Sequence, residues 1–495
     1  MTYTTMNFLL PDALLMLATV VAWLNDTFTG PNGRKTTYYI ALLSTLVAGI
    51  WFAVNAFDPH VYYSFSRMYV VDPFANAMKS VVSLGYAVSI VYSRKYLEDR
   101  DMFRGEFFLL GLFSLLGQIV MISGNNFLTL YLGLELMSLS LYAVIALRRD
   151  AAQSNEAAMK YYVLGALASG FLLYGISMLY GATGSLELAD VANVIGSSVG
   201  SGRIPEVVVL FGVVFVVAGV AFKMGAVPFH MWVPDVYQGA PTAMTLIVGG
   251  GPKVAAFAWG VRFLVMGLLP LAVDWQQMLI ILAALSMIVG NITGIVQRNV
   301  KRMLAYSAIS NMGFVLLGLL AGIVDGKATN AASAYSSAMF YSIVYLITTL
   351  GAFGVVMMLS RRNFEAETLD DFKGLNQRSP IFAFVMMLMM FSLAGIPPTV
   401  GFYAKLAVLE ATMNAGLTWL AILAVVTSLF GAFYYLRIVK LMYFDAPIDN
   451  EPVHGGYAAN RTLLTINGLA VLALGIVPGP LMSLCLQAVT HTLPL

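Results

Sequence analysis

Apolar residues in this sequence are gathered into long runs rather than set at alternating positions. A run of about 18 or more, coiled as a helix, crosses the roughly 30 Å of hydrocarbon in a bilayer. Charge is too sparse for another arrangement: the 495 residues are 59% hydrophobic and 11% charged, with a mean hydropathy of +0.81. Soluble domains carry about 25% charged residues. A chain this poor in charge cannot cover a water-facing surface, so the fold class is all-α transmembrane.

Fourteen spans are predicted, at 7–26, 37–56, 70–93, 107–123, 126–147, 158–181, 206–237, 241–267, 275–296, 302–323, 332–359, 380–414, 416–443 and 462–484. Met1 to Met6 lack the basic cluster of a signal peptide, and the apolar stretch from Phe8 to Leu24 is too long for its core, so it reads as the first span. Lysine and arginine segregate between alternate loops. One set holds Arg34, Lys35, Arg94, Lys95, Arg100, Arg104, Arg148, Arg149, Arg298, Lys301, Arg302, Arg361, Arg362, Lys373, Arg378 and Arg461; the other holds only Arg67, Arg203 and Lys327. The positive-inside rule places the richer set in the cytoplasm. Both termini then lie outside, which requires an even number of spans.

Two spans are over-long and contain helix breakers: Gly225, Pro228 and Pro234 in 206–237, and Gly395, Pro397 and Pro398 in 380–414. Proline removes a backbone donor and clashes with the preceding turn. In hydrocarbon the freed carbonyls must find another partner or line a hydrated cavity. Discontinuous helices mark the working sites of transporters, often at matching places in inverted repeats. Here the broken helix is fourth in each of two five-helix groups, spans 4–8 and 9–13. The predicted organisation is a three-helix segment (1–105), two inverted repeats (106–270 and 271–445) and a final span (446–495).

Several chemistries are excluded. One thiol, Cys485, builds no iron–sulfur cluster, cysteine zinc site or internal disulfide. His60, His230, His454 and His491 have no metal-ligand spacing, and no glycine-rich dinucleotide or phosphate loop is present. A net charge of +2 gives no sign of nucleic-acid binding. No cofactor or metal is therefore assigned to this chain, and any redox chemistry belongs on another polypeptide.

What remains is a set of charges inside the spans: Glu135 in span 5, Lys160 near the start of span 6, Lys223 beside the break in span 7, Lys253 in span 8 and Lys405 about two turns beyond the break in span 12. His230 follows the first break directly. Five uncompensated charges would cost on the order of 12–17 kcal/mol on insertion. They must pair, stay neutral or face internal water. Desolvation lowers a lysine's proton affinity and a nearby carboxylate restores it, so a buried Lys beside Glu is poised to hold or release a proton. A line of such groups passes protons along, with His230 as a relay of suitable intrinsic affinity. Structural readings stand beside these: a static Glu135–Lys223 pair, an i,i+4 Glu156–Lys160 bridge, a snorkelling Lys405, and a His230 that donates to a freed carbonyl. Lys79 is also mid-span, two turns from Asp72 on the same face, and is open to either reading.

The segment from Phe222 to Thr242, with Pro228-Phe-His230-x-Trp232-x-Pro234-Asp235 at its core and Ala240-Pro241-Thr242 after it, resembles the antiporter-like subunits of the proton-pumping NADH:quinone oxidoreductase, respiratory complex I. Asp235-Val-Tyr-Gln-Gly-Ala-Pro241 resembles the subunit N family (mitochondrial ND-two type) rather than L or M. The run from Asn299 through Lys301, Arg302 and Tyr306, and the run Ser392-Leu-Ala-Gly-Ile-Pro-Pro-Thr-x-Gly-Phe-x-x-Lys405, resemble that family's tenth and broken twelfth spans.

The resemblance implies a translocase subunit of a bacterial inner membrane, with periplasmic termini, that carries protons across the membrane. Glu135 and Lys223 would form a switching pair, and Lys160, Lys253 and Lys405 would continue the line. FMN, iron–sulfur clusters and quinone would sit on partner subunits of the membrane and peripheral arms. Gly249-Gly-Gly-Pro252 departs from the family, which more usually has a polar residue directly before its lysine; a local kink there would alter the depth of Lys253. The alternatives are a subunit of a multisubunit cation/proton antiporter or membrane-bound hydrogenase, or a non-conducting scaffold. Antiporter-type subunits usually place histidine in span 8, where this chain has Lys253.

Overall fold

The computed structural model describes residues 3–198, 205–362, 364–448, 453 and 456–493; Arg203 and His454 lie outside them. Among the described residues, twelve helical stretches are long and apolar enough to cross a membrane. One of them, Phe8–Asn55, holds two helices, span 1 (Tyr3–Thr29) and span 2 (Arg34–Asn55), joined by a tight turn over Gly30–Gly33. The interrupted pair Pro380–Ala394 and Val400–Asn414 makes one more crossing, which gives the fourteen expected.

Spans 3 to 6 are Pro73–Glu98, Gly105–Ser123, Phe127–Ile145 and Ala152–Thr183. Span 7 is Glu206–Met224 followed, after a break, by the short helix Trp232–Gly239. Span 8 comprises Thr242–Gly249, Gly251–Gly260 and a π-helical stretch, Val261–Gly267. Spans 9 to 11 are Ala272–Val296, Val300–Leu320 and Ala331–Leu359; span 12 is the interrupted pair; spans 13 and 14 are Thr418–Phe444 and Ala458–Ile476.

Span 8 is interrupted before Lys253. Gly250, at φ −93° and ψ −103°, interrupts span 8 one residue before its second segment. Pro234, expected to break span 7, instead sits in the first turn of Trp232–Gly239, where its missing donor costs nothing. The chain is not wholly helical. Tyr62–Ser64 pairs antiparallel with Tyr69–Val71, and Phe65, Ser66 and Arg67 turn the hairpin at positive φ. A short helix Leu188–Ser198 precedes span 7, and another, Gly479–Thr490, follows span 14; neither was expected as a separate element.

Loops from the richer basic set meet one another at one end of the bundle. There Glu365 accepts hydrogen bonds from Arg100 Nη2 (2.7 Å), from Tyr96 Oη (2.7 Å) and from Thr242 Oγ1. Lys301 pairs with Glu367 at 2.6 Å and donates to the Ala240 carbonyl at 3.0 Å. The loop between spans 11 and 12 is thus fastened to spans 3, 8 and 10. At the opposite end Arg67 pairs with Glu187 at 3.0 Å.

Burial alone would raise the Glu365 carboxyl, but Lys301 and Arg100, with the hydrogen bonds from Thr242 and Tyr96, hold it below its ordinary value of 4.5. A depressed carboxylate stabilises the fold above that value, and the contribution is lost as pH falls through the folded-state value. Glu365→Gln is therefore expected to destabilise the assembled protein at neutral pH by at most about 3 kcal/mol, the lower end of the range for a broken buried pair, read as a fall in its thermal midpoint. The gap from the parent should narrow as pH falls below 4.5. A gap of constant size across a pH series would show that the carboxylate charge contributes nothing.

Candidate functional site

The two breaks solve the same physical problem in the same way. A helix end leaves its last four carbonyls without intrahelical donors, and in a membrane each must be satisfied internally. At the first break Gly225 adopts φ +75°, the left-handed cap that glycine takes without strain. The Ala226 amide then reaches the Ala221 carbonyl at 2.8 Å, and the Gly225 amide reaches Phe222 at 3.0 Å. Trp232 Nε1 also donates to Phe222 at 3.0 Å. The last two carbonyls are taken by one ammonium: Lys253 Nζ lies 2.8 Å from Met224 O and 3.4 Å from Lys223 O.

At the second break Gly395 adopts φ +82°. Ile396 N reaches Phe391 O at 2.9 Å, and Gly395 N reaches Ser392 O at 3.1 Å. Again one ammonium closes the end: Lys405 Nζ lies 2.9 Å from Leu393 O, 3.0 Å from Ala394 O and 2.7 Å from Ser428 Oγ. Each lysine sits at the negative end of a half-helix dipole, where a positive charge is favoured. Each also faces an aromatic ring, Trp232 at 4.7 Å for Lys253 and Phe314 at 5.1 Å for Lys405. Lys405 therefore does not snorkel. Its three N–H groups are used inside the bundle.

Lys223 is 4% exposed, and its Nζ donates to Ser138 Oγ and Tyr161 Oη, each at 3.0 Å. Glu135 stands one turn before Ser138 on span 5, half-buried, and accepts from Ser169 Oγ of span 6. Glu135 and Lys223 are thus not in direct contact, against the expectation of an ion pair; Ser138 and Tyr161 hold the ammonium instead. Because Lys253 binds the carbonyl of Lys223 itself, those two lysines are brought together.

Lys160 differs from the buried lysines. Its side chain is 44% exposed and bridges Glu156 and Asp235, each at 2.8 Å. Arg302 holds the other Asp235 oxygen at 2.7 Å and Gln238 at 3.1 Å. These groups line a polar pocket of about 140 Å³ at the basic end. The i,i+4 bridge expected with Glu156 is present, and Asp235 extends it. His230 is half-buried in the first break, where its ring faces the Pro228 backbone carbonyl; its Nδ1 has no close hydrogen-bond partner.

The sequence reading missed two groups. Arg262, fully buried in the π-helical stretch of span 8, pairs with Asp72 at 2.7 Å, and Asp72 also caps span 3 through Ala75 N. Lys79 consequently pairs with Asp12 at 3.1 Å and with Tyr69 Oη at 3.1 Å, not with Asp72. The second group is uncharged. Tyr341 Oη donates to Asn311 Oδ1 (2.7 Å), Asn311 Nδ2 reaches the Ser307 carbonyl (2.7 Å), and Ser307 Oγ meets Tyr435 Oη. Phe314, beneath Lys405, stacks on Tyr341 at 5.7 Å. Hydroxyls and amides escape a search for charge. Ser307 nonetheless directly follows Tyr306, the end of the tenth-span run already singled out.

A membrane bundle with two interrupted helices, each closed by a buried lysine, belongs to the antiporter-like class of membrane proteins. The family model described as NADH:quinone oxidoreductase/Mrp antiporter, TM, matches residues 124–431. The NADH-quinone oxidoreductase subunit N of Paraburkholderia phymatum is 82% identical over 99% of both chains. A chain of respiratory complex I from Thermus thermophilus superposes with a TM-score of 0.80 at 30% identity, covering 96% of this chain and 98% of that one. A chain of the Mrp complex from Dietzia shares the fold alone, with a TM-score of 0.84 at 20% identity. The chain belongs to the NADH-quinone oxidoreductase subunit N family.

Proposed function

We propose that this chain is a proton-translocating membrane-arm subunit of NADH:quinone oxidoreductase in a bacterial inner membrane. Both termini face the periplasm, and the basic loops face the cytoplasm. Two inverted five-span units, 106–270 and 271–445, each provide one interrupted helix; 1–105 and 446–495 flank them. The observation that carries the reading is the shared closure of the breaks. Lys253 and Lys405 each hold two carbonyls with a removable proton, and Lys223 abuts Lys253. Protons pass among Glu135, Lys223, Lys253 and Lys405, with Ser307, Asn311, Tyr341 and Tyr435 as hydroxyl and amide groups inside the second unit. Lys160, with Glu156 and Asp235, lies at the cytoplasmic mouth, and His230 is a relay within the first break.

Each proton moved against 100 mV needs about 2.3 kcal/mol. This chain has no group to supply it, so the energy comes from quinone reduction on partner subunits, which carry the FMN, iron–sulfur clusters and quinone. The four positions must then respond to charge changes next to them. Glu135 is the side chain placed to receive one, since it lies half-buried between Leu132 and Leu136, which are 57% and 37% exposed. Glu135→Ala is expected to assemble fully while quinone reduction and pumping fall together. An assembled variant that pumps at the parental rate overturns the role of Glu135.

A further inference from the structure

The polar groups around the two lysine-closed breaks belong to different units. Lys223 donates to the Tyr161 hydroxyl within the first, whereas Ser307, Asn311, Tyr341 and Tyr435 lie on spans 10, 11 and 13 of the second. Two tyrosines meet across that boundary. Tyr237 stands on the short helix Trp232–Gly239 that follows the first break, and its hydroxyl faces that of Tyr345 on span 11. Tyr237 is fully buried, and its Oη has no close hydrogen-bond partner. A buried hydroxyl without a partner costs stability, so packing alone gives no reason for the oxygen. Packing does fix where it points. A Cβ built on Gly249 would lie 2.8 Å from Tyr237 Oη, and the ring meets Phe353 edge-on at 6.0 Å. Gly249 has no side chain, so the hydroxyl fits against the interruption of span 8, four residues before Lys253. On the far side, Tyr345 stands one turn after Tyr341 on the same face of span 11. Ser286 also crosses between the units, accepting from Val227 N at 2.9 Å, but its one hydrogen is committed to the Leu282 carbonyl at 2.6 Å.

We propose that Tyr237 and Tyr345 are the crossing point at which a proton leaves the first unit and enters the second. The inference rests on the proton-line reading above and supplies the residues that join its two units. A hydroxyl has one hydrogen to give and lone pairs to receive another. The Tyr237 oxygen binds the proton arriving from the side of Lys223 and Lys253 as its own hydrogen passes to the Tyr345 oxygen. Tyr345 in turn releases its hydrogen toward Tyr341 and Tyr435. Neither phenol keeps a charge: an ammonium in the first unit becomes an amine, and the Lys405 amine becomes an ammonium. Because the Tyr237 hydroxyl faces its neighbour without a close bond, the route is complete only when the two draw together. The pair is thus a gate between the units.

Tyr237→Phe and Tyr345→Phe keep the rings and remove one oxygen each. The test is proton pumping coupled to NADH oxidation by the assembled complex in sealed vesicles. Pumping is expected to fall about tenfold in each variant, below the roughly hundredfold that a positioned proton-transfer group contributes at the low end, because water enters the gap. The thermal midpoint of the Tyr237→Phe complex should stay level or rise, since that variant loses no hydrogen bond. A tyrosine with a structural role alone would not separate pumping from stability in this way. Lys223→Ala in the same vesicles tells the two readings apart. Parental pumping in both phenylalanine variants, with Lys223→Ala impaired, overturns the crossing point and leaves the proton line standing. Parental pumping in Lys223→Ala as well overturns both. A Tyr237→Phe complex whose midpoint falls together with its pumping makes Tyr237 a packing residue and also overturns the proposal.

Discussion

Lys223→Ala is expected to leave an assembled complex whose coupled proton pumping falls on the order of tenfold to a hundredfold. Without this ammonium a proton moving between Glu135 and Lys253 has only the Ser138 and Tyr161 hydroxyls, now 3.0 Å from an atom that is gone. It must cross as an uncompensated charge in hydrocarbon, at a cost of at least about 2.5 kcal/mol. Every 1.36 kcal/mol of barrier is a factor of ten in rate, so that cost approaches a hundredfold; water entering the vacated space lowers it toward ten. Removing a buried cation that Glu135 does not directly pair with leaves no stranded carboxylate, so assembly should persist. The measurement is pumping by purified complex in sealed vesicles, with subunit content checked on the same preparation. An intact complex that pumps at full rate would mean that the chain is a passive scaffold.

Much of this site was legible before any coordinates, for a physical reason. Charge inside an apolar run is costly enough that Glu135, Lys223, Lys253 and Lys405 stood out, and glycine and proline marked both breaks. The lysines' partners were not legible, because backbone carbonyls carry no sequence signature. That Lys253 closes the span 7 fragment, from a different helix, follows only from the packing of span 8 against it. The partners of two charged groups differ from those the sequence suggested. Helical spacing set Asp72 on the face of Lys79 and left the role of Lys79 open; Asp72 faces Arg262 on span 8 and Lys79 faces Asp12 on span 1. Glu135 and Lys223 were matched as opposite charges, whereas neutral hydroxyls hold the lysine. Arg262 went unnoticed although it is fully buried, because it lies near a span end where arginine ordinarily reaches the interface. The hairpin at Tyr62–Val71 escaped because three non-glycine residues make its positive-φ turn.

The structural and chemical roles of Lys405 separate in a pair of variants, and the second large effect is expected there. Lys405→Arg keeps a positive charge and enough donors for the carbonyls of Leu393 and Ala394 and the Ser428 hydroxyl. A guanidinium does not release its proton under physiological conditions. This variant should therefore assemble near parental levels while pumping falls at least about tenfold, the effect of 1.36 kcal/mol on the transfer step. Lys405→Met removes charge and donors together. Two carbonyls at the second break then lose their partner, at about 1–3 kcal/mol each, so thermal stability should fall as well as pumping. The side chain is closely packed, since a Cβ built on Gly395 would lie 2.8 Å from Lys405 Cδ, so assembly is measured for both variants. A Lys405→Arg complex that pumps like its parent would reduce Lys405 to a fixed cap on a broken helix. The proton line would then end at Lys253, and the second break would need another group to carry the charge across.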